Sequence, residues 1–161
     1  MRALAVVAVL LACSAAAEEP ALPQPGARDL CPVCGMLVSK YPHWVAIVTY
    51  RDGHAAFFDG AKDMFKYFQD LAKYAPTRRG ADIAAIYVTE YYGLTRIDAH
   101  RAYYVIGSDV LSPMGHDLVA LASREEAAEF MQDHKGARVL RFEEVTRELI
   151  EQLDRNGPAR P

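Results

Sequence analysis

Twice along this chain, two short runs of apolar, β-branched or aromatic residues are followed by a helical pattern and a third such run, and this doubled order limits the folds open to it. In the first unit, residues 45–50 form the first run, Arg51-Asp52-Gly53 is a hairpin-type turn, and residues 55–58 return as the second strand. Asp59 is placed to cap a helix in which Met64, Phe65, Phe68, Leu71 and Ala72 recur at helical spacing; Pro76 and Gly80 end it, and residues 83–88 make the third strand. After Tyr91-Tyr92-Gly93 the order repeats: residues 102–106, a loop through Pro113 and Gly115, residues 118–121, a helix, and residues 137–142. Ser123 and Glu126 read as that helix's capping box, Ala127, Phe130 and Met131 as its buried face, and Gly136 as its C-cap. A last helix over residues 143–153 trails into Asn156-Gly157-Pro158. Units of roughly 45 residues seldom hold a core alone. The expectation is therefore an α+β fold: two tandem ββαβ units, residues 31–92 and 93–155, packed together with a C-terminal helix and a tail over 156–161.

The segment before these units has another character. Met1-Arg2 is followed by an unbroken run of apolar or small residues through Ala12, too short to cross a bilayer and suited to a signal peptide. Leu10-Leu11-Ala12-Cys13 resembles a bacterial lipobox, which makes residues 1–12 a lipoprotein signal and Cys13 the lipidated N-terminus; Ala15-Ala16-Ala17 allows ordinary cleavage after residue 17 instead. Residues 18–30, rich in Pro and Ala, read as a flexible tether. The expected location is outside the cytoplasm, with a lipid anchor holding the protein to the membrane. Nucleic acid is not an expected partner, because 18 Lys and Arg are scattered among 21 Asp and Glu with a net charge of -3.

Of three cysteines, Cys13 is lipidated or discarded, and the mature domain keeps Cys31 and Cys34 in Cys31-Pro32-Val33-Cys34-Gly35-Met36. Gly35 lets the backbone bend so that the Cys34 thiolate and the Met36 thioether face one ion. That donor pair selects a soft metal. Zn(II) prefers Cys and His and rarely takes Met, so Met36 points to Cu(I). A second sulfur, Met114, lies in a Pro- and Gly-bounded loop with His116 as a nearby nitrogen donor, and it can complete the site if the two units pack face to face. The plainer reading, methionines filling gaps in the core, stays open on these residues alone. Cys31 is a third soft ligand, a disulfide partner for Cys34, or a bystander. His43, His54 and His100 read as surface or structural groups, and His134 as a charge at a helix C-terminus.

Rival chemistries meet specific obstacles. Haem attachment needs His directly after the second Cys, where this chain has Gly35. A thioredoxin-like centre needs a helix start at its CxxC, and the residues after Cys34 give none. A zinc knuckle needs a second ligand pair, and no second CxxC or HxxxH exists. No nucleophile elbow or phosphate-binding loop is present, and the acidic residues read as helix caps and solvated faces, so an enzyme is not expected. The alternative that remains is a periplasmic CxxC thiol-disulfide oxidoreductase or copper reductant using Cys31 and Cys34; a scaffold subunit that needs the metal only for folding is a third.

The same string, with Phe58-Asp59-Gly60 and Met64-Phe65, resembles the NosL family, accessory proteins of nitrous oxide reductase maturation. Val88-Thr89-Glu90-Tyr91, Ile97-Asp98-Ala99, Tyr104-Val105 and Pro113-Met114-Gly115 extend the resemblance, in order, over roughly residues 29–142. The resemblance implies a periplasmic lipoprotein copper chaperone that delivers Cu(I) to apo nitrous oxide reductase, alongside a membrane transporter complex of the same maturation system. It implies the tandem ββαβ architecture as well, with Cys34, Met36 and Met114 as copper ligands, and it is less definite about Cys31 and His116.

Overall fold

The computed structural model describes residues 22–156. The signal segment, Cys13 and the end of the tail lie outside them, as do the two processing sites. Among the described residues, seven strands form two antiparallel sheets. The first contains β1 (Ala46–Tyr50), β2 (Ala55–Phe58), β3 (Ile83–Thr89) and β4 (Arg96–Asp98) in the order β2-β1-β3-β4. The second contains β5 (Tyr103–Ile106), β6 (Val119–Leu121) and β7 (Arg138–Leu140) in the order β6-β5-β7. Among the described residues no helix is long and apolar enough to cross a membrane.

The β1–β2 hairpin closes as its turn residues predict. Gly53 has φ 85°, in the left-handed region where other residues are disfavoured, and Ala46 registers with Phe58. Helix α1 (Ala61–Gln69) follows β2 and packs against β1 and β2. Its Met64 and Phe65 are buried, and the Phe65 ring meets Tyr104 of β5 at 5.2 Å and Phe142 at 4.8 Å. These edge-on and tilted aromatic contacts join the two units in one core. Glu90 bridges to Ala120 in parallel, and Tyr91 N–H donates to the Ala120 carbonyl at 2.9 Å, so the sheets are also joined edge to edge. Helix α3 (Arg124–Asp133) covers the second sheet with Ala127 and Phe130 in a smaller cluster beside Val105, Val119 and Leu121. The capping box is present: Ser123 Oγ accepts from Glu126 N–H at 3.1 Å, and Glu126 Oε2 accepts from Ser123 N–H at 3.2 Å.

Several elements differ from expectation. The helix after β2 breaks at Asp70, whose carboxylate accepts from Lys73 N–H and starts a separate turn, α2 (Leu71–Tyr74). Residues 142–144 form a 3₁₀ turn, and the last helix, α4 (Arg147–Asn156), starts later than expected. Gly136 is not the C-cap of α3. Lys135 takes the left-handed conformation at φ 53°, while Gly136 is needed because a Cβ there would stand 2.6 Å from Val105 Cγ1. Asp59 does not cap α1 either: the N-cap is Gly60, and Asp59 is fully buried. The acidic residues expected on caps and solvated faces include four, Asp59, Asp63, Glu90 and Asp117, that are in fact buried in the interior.

Candidate metal centre

Residues 31–36 close on themselves before β1. Cys31 N–H donates to the Met36 carbonyl and Gly35 N–H to the Cys31 carbonyl, both at 2.9 Å, and Gly35 makes the turn with φ 78°. Val38 N–H donates to the Asp29 carbonyl at 3.0 Å, and the buried Val38 anchors this ring to the core. The closure turns Cys31 fully inward and leaves Cys34 and Met36 half-buried. Neither cysteine is in a disulfide.

The inward face of the ring meets two carboxylates. Asp59, at the junction of β2 and α1, accepts from the Cys34 thiol at 3.2 Å. Asp63, on the first turn of α1, accepts from the Cys31 thiol at 3.4 Å. The donor atoms of Cys31, Cys34, Asp59 and Asp63 all lie within 4.8 Å of one another. Asp59 Oδ2 has no hydrogen-bond partner, and Asp63 Oδ1 has only the Lys66 ammonium at 3.3 Å, outside hydrogen-bond geometry. Burial pushes the Cys34 thiol up to about 12, helped by its bond to Asp59, and raises Cys31 further still by the same desolvation. A thiol here is held protonated until something stronger than water takes its proton.

Asp59 is released from capping because another residue does that work. Asp117, from the loop before β6, accepts from Lys62 N–H of α1 at 2.6 Å and from its neighbour Leu118 N–H at 2.7 Å. This is an N-cap hydrogen bond delivered from 55 residues away. Burial raises the Asp117 carboxyl to about 6. Gly60 is required at this point because a Cβ would collide with Asp117 Oδ2.

The same loop carries Met114. Residues 112–115 form a tight turn in which Ser112 N–H donates to the Gly115 carbonyl at 2.8 Å and Gly115 N–H returns the bond at 3.0 Å, with Gly115 at φ 81°. The buried Lys62 ammonium then holds the turn by its backbone, donating to the Met114 carbonyl at 3.1 Å and the His116 carbonyl at 2.7 Å. The Met114 side chain is 40% exposed and His116 is half-buried. The structure thus brings Cys31 and Cys34 together with Asp59 and Asp63, keeps Met36 on the closed ring, and fastens the Met114–His116 backbone to Lys62, between the two carboxylates in sequence. His116 is not one of the four clustered donors.

Sequence reasoning missed Asp59 and Asp63. Their spacing, four residues apart and flanking Gly60 and Lys62 just before the apolar pair Met64-Phe65, is the one signal that could have found them. His134, read as a helix-terminal charge, pairs with Asp109 at 3.2 Å and also packs against Phe130 and Tyr91.

The sequence model of the NosL family matches residues 23–150. The chain is similar to the copper-binding lipoprotein NosL of Stutzerimonas stutzeri, 30% identical over 132 residues, a match spanning 77% of this chain and 65% of that protein's length. The crystal structure of the copper chaperone NosL from Shewanella denitrificans superposes with a TM-score of 0.65 at 21% identity, covering 81% of this chain and 98% of that one, and shows the same fold. The solution structure of apo-NosL from Achromobacter cycloclastes covers 65% of this chain and 87% of its own at 27% identity, with a TM-score of 0.45. These relatives carry the names of metal-binding proteins and chaperones rather than of enzymes. By the family match over residues 23–150, the chain belongs to the NosL family.

Proposed function

We propose that this protein is a periplasmic, membrane-anchored copper chaperone, lipidated at Cys13, that carries Cu(I) on Cys34, Met36 and Met114 and delivers it to apo nitrous oxide reductase during assembly of a copper centre. A membrane transporter complex of the same maturation system is its second expected partner. The observation that carries the reading is the attachment of both sulfur-bearing segments to the start of α1: Cys34 through Asp59, and the Met114 turn through Lys62. Cys34 supplies the one anionic sulfur. Met36 and Met114 supply neutral thioethers that need no deprotonation, and a low coordination number leaves room for an acceptor ligand, so the ion moves by ligand exchange. The half-buried Met36 and Cys34 and the exposed Met114 suit a cargo that must be reached by a partner.

The rival dithiol reading fits the electrostatics less well. A redox thiol needs a depressed pKa, whereas burial and the neighbouring carboxylates push both thiols upward. Cu(I) titration against a competing chelator tests the proposal. Stoichiometric binding that is lost in Cys34→Ser and in the double variant Cys34→Ser/Met36→Ala supports it, and unchanged affinity in the double variant refutes it. If Cys31→Ser retains Cu(I) affinity, Cys31 is not a ligand of this cargo and the pair is not acting as a dithiol.

A further inference from the structure

The two carboxylates are not ligands of the proposed copper cargo. Cu(I) is a soft ion served by sulfur, and a buried carboxylate is a hard donor that favours ions of higher charge. Yet Asp59 is fully buried with Oδ2 unpartnered, and Asp63 is 2% exposed with Oδ1 met only by the Lys66 ammonium at 3.3 Å, both on the inner side of the cysteine ring. Orphaned, buried carboxylate oxygens are costly unless a cation or donor meets them. Together with the two sulfurs they present four donor atoms of the kinds that Zn(II) accepts in a tetrahedral shell. From ordinary Zn–S and Zn–O bond lengths, donors in such a shell stand roughly 3.4–3.8 Å apart. The contacts of 3.2 Å between Cys34 and Asp59 and 3.4 Å between Cys31 and Asp63, with all four donors inside 4.8 Å, are already close to that spacing.

We infer that Cys31, Cys34, Asp59 and Asp63 form a binding site for a divalent, thiophilic cation of the Zn(II) class, mutually exclusive with the Cu(I) cargo because both ions use Cys34. The second ligand pair that a zinc site requires is thus a carboxylate pair, Asp-x-x-x-Asp, at the start of α1. Charge favours this assignment: two thiolates and two carboxylates are better balanced by a divalent ion than by a monovalent one, with Lys66 at 3.3 Å from Asp63 offsetting part of the remainder. Binding replaces the two thiol protons by the metal, and those protons leave to solvent. The site uses neither Met36 nor Met114, so its existence is independent of the copper reading, while the mutual exclusion rests on that reading's assignment of Cys34.

The test uses the reduced protein titrated with Zn(II) and, as a spectroscopic probe, Co(II). A single equivalent of Co(II) is expected to give sulfur-to-metal charge-transfer bands and the intense ligand-field bands of a tetrahedral ion. Asp63→Asn and, as a second variant, Cys31→Ser are each expected to lower Zn(II) affinity by at least about tenfold. Their Cu(I) affinity, measured in parallel, is expected to stay near that of the unchanged protein, and added Cu(I) is expected to release the bound Zn(II). Circular dichroism identifies a variant that has lost its fold, in which case the other variant decides. A Co(II) spectrum without thiolate charge transfer, or Zn(II) affinity unchanged in a folded Asp63→Asn or Cys31→Ser, overturns the inference. Loss of Cu(I) binding with Zn(II) binding intact would strike the copper reading alone.

Discussion

Residues 31–36 meet the start of α1 through side chains, with Cys31 on Asp63 and Cys34 on Asp59, whereas residues 112–117 meet it through backbone carbonyls held by Lys62 and through the cap from Asp117. The first arm is a ring closed by its own hydrogen bonds and anchored in the core by Val38 and Cys31. The second leaves its methionine side chain exposed and is positioned by one buried ammonium together with the Asp117 cap. The difference separates two tasks. In the proposed copper site, the half-buried Cys34 thiol would define where the ion sits, and a thioether on a held but accessible turn would define how readily the ion is shared.

The comparison is broken most severely at the buried arm. Cys34→Ser removes the single anionic sulfur of the proposed copper site, and its effect on Cu(I) affinity is expected to exceed the roughly 10- to 100-fold that loss of an outer-shell partner produces. Chelator competition measures this directly. Should Met114→Ala prove the more damaging change, the assignment of anchor and accessory arms is reversed.

The next largest effect lies where the second arm is capped onto α1. Gly60→Ala places a methyl group against Asp117 Oδ2, and because the clash involves a buried, doubly hydrogen-bonded carboxylate, the loop must move. Overpacking of this kind destabilises by about 1–3 kcal/mol, readable in chemical denaturation. Cu(I) affinity should fall with it, because Met114 moves with Asp117. An Ala variant of unchanged stability would mean that the two arms are not joined through this contact.

These contacts also explain what was legible in the sequence. Local signals were readable: Arg51-Asp52-Gly53 closes a hairpin, and Ser123 with Glu126 caps α3, because each acts within a few residues. Strand β4 was not, since Arg96-Ile97-Asp98 carries no apolar run and becomes a strand only by pairing with β3. The order of strands and helices thus reveals the two packed units, while the edges of elements depend on partners far away in sequence. The site divides in the same way. Cys34, Met36 and Met114 stand out by residue type, but Asp59 reads as a helix cap until Asp117 is known to supply the cap from the second unit. A carboxylate's burial is a long-range property, and a single sequence shows only its near neighbours.

A smaller and more selective effect belongs to Lys62. Lys62→Met keeps the length and most of the volume of the side chain but withdraws the donor from the Met114 and His116 carbonyls. Cu(I) affinity is expected to fall about tenfold, the lower end of what an outer-shell partner contributes. In a Met114→Ala background the same change is expected to add almost nothing, because two residues that act through one arm are not additive. Additive losses would show that Lys62 serves the core rather than the methionine turn.

The mildest perturbation, pH, separates the arms without altering a residue. In the metal-free protein the Cys34 thiol is pushed up to about 12 from an ordinary 9.0, so it is protonated throughout the neutral range, while Met114 has no proton to lose. Binding Cu(I) requires the thiolate and releases that proton, so raising the pH favours the bound state, and apparent affinity climbs about tenfold per unit for one thiol proton displaced. For an ordinary thiol the climb flattens near pH 9; here it continues toward 12, because the free state keeps its proton longer. Met114→Ala is expected to lower the curve of affinity against pH without changing its slope, whereas residual binding in Cys34→Ser loses the slope. A slope that survives Cys34→Ser would place the anionic sulfur at Cys31 and move the anchor of the site to the other end of the ring.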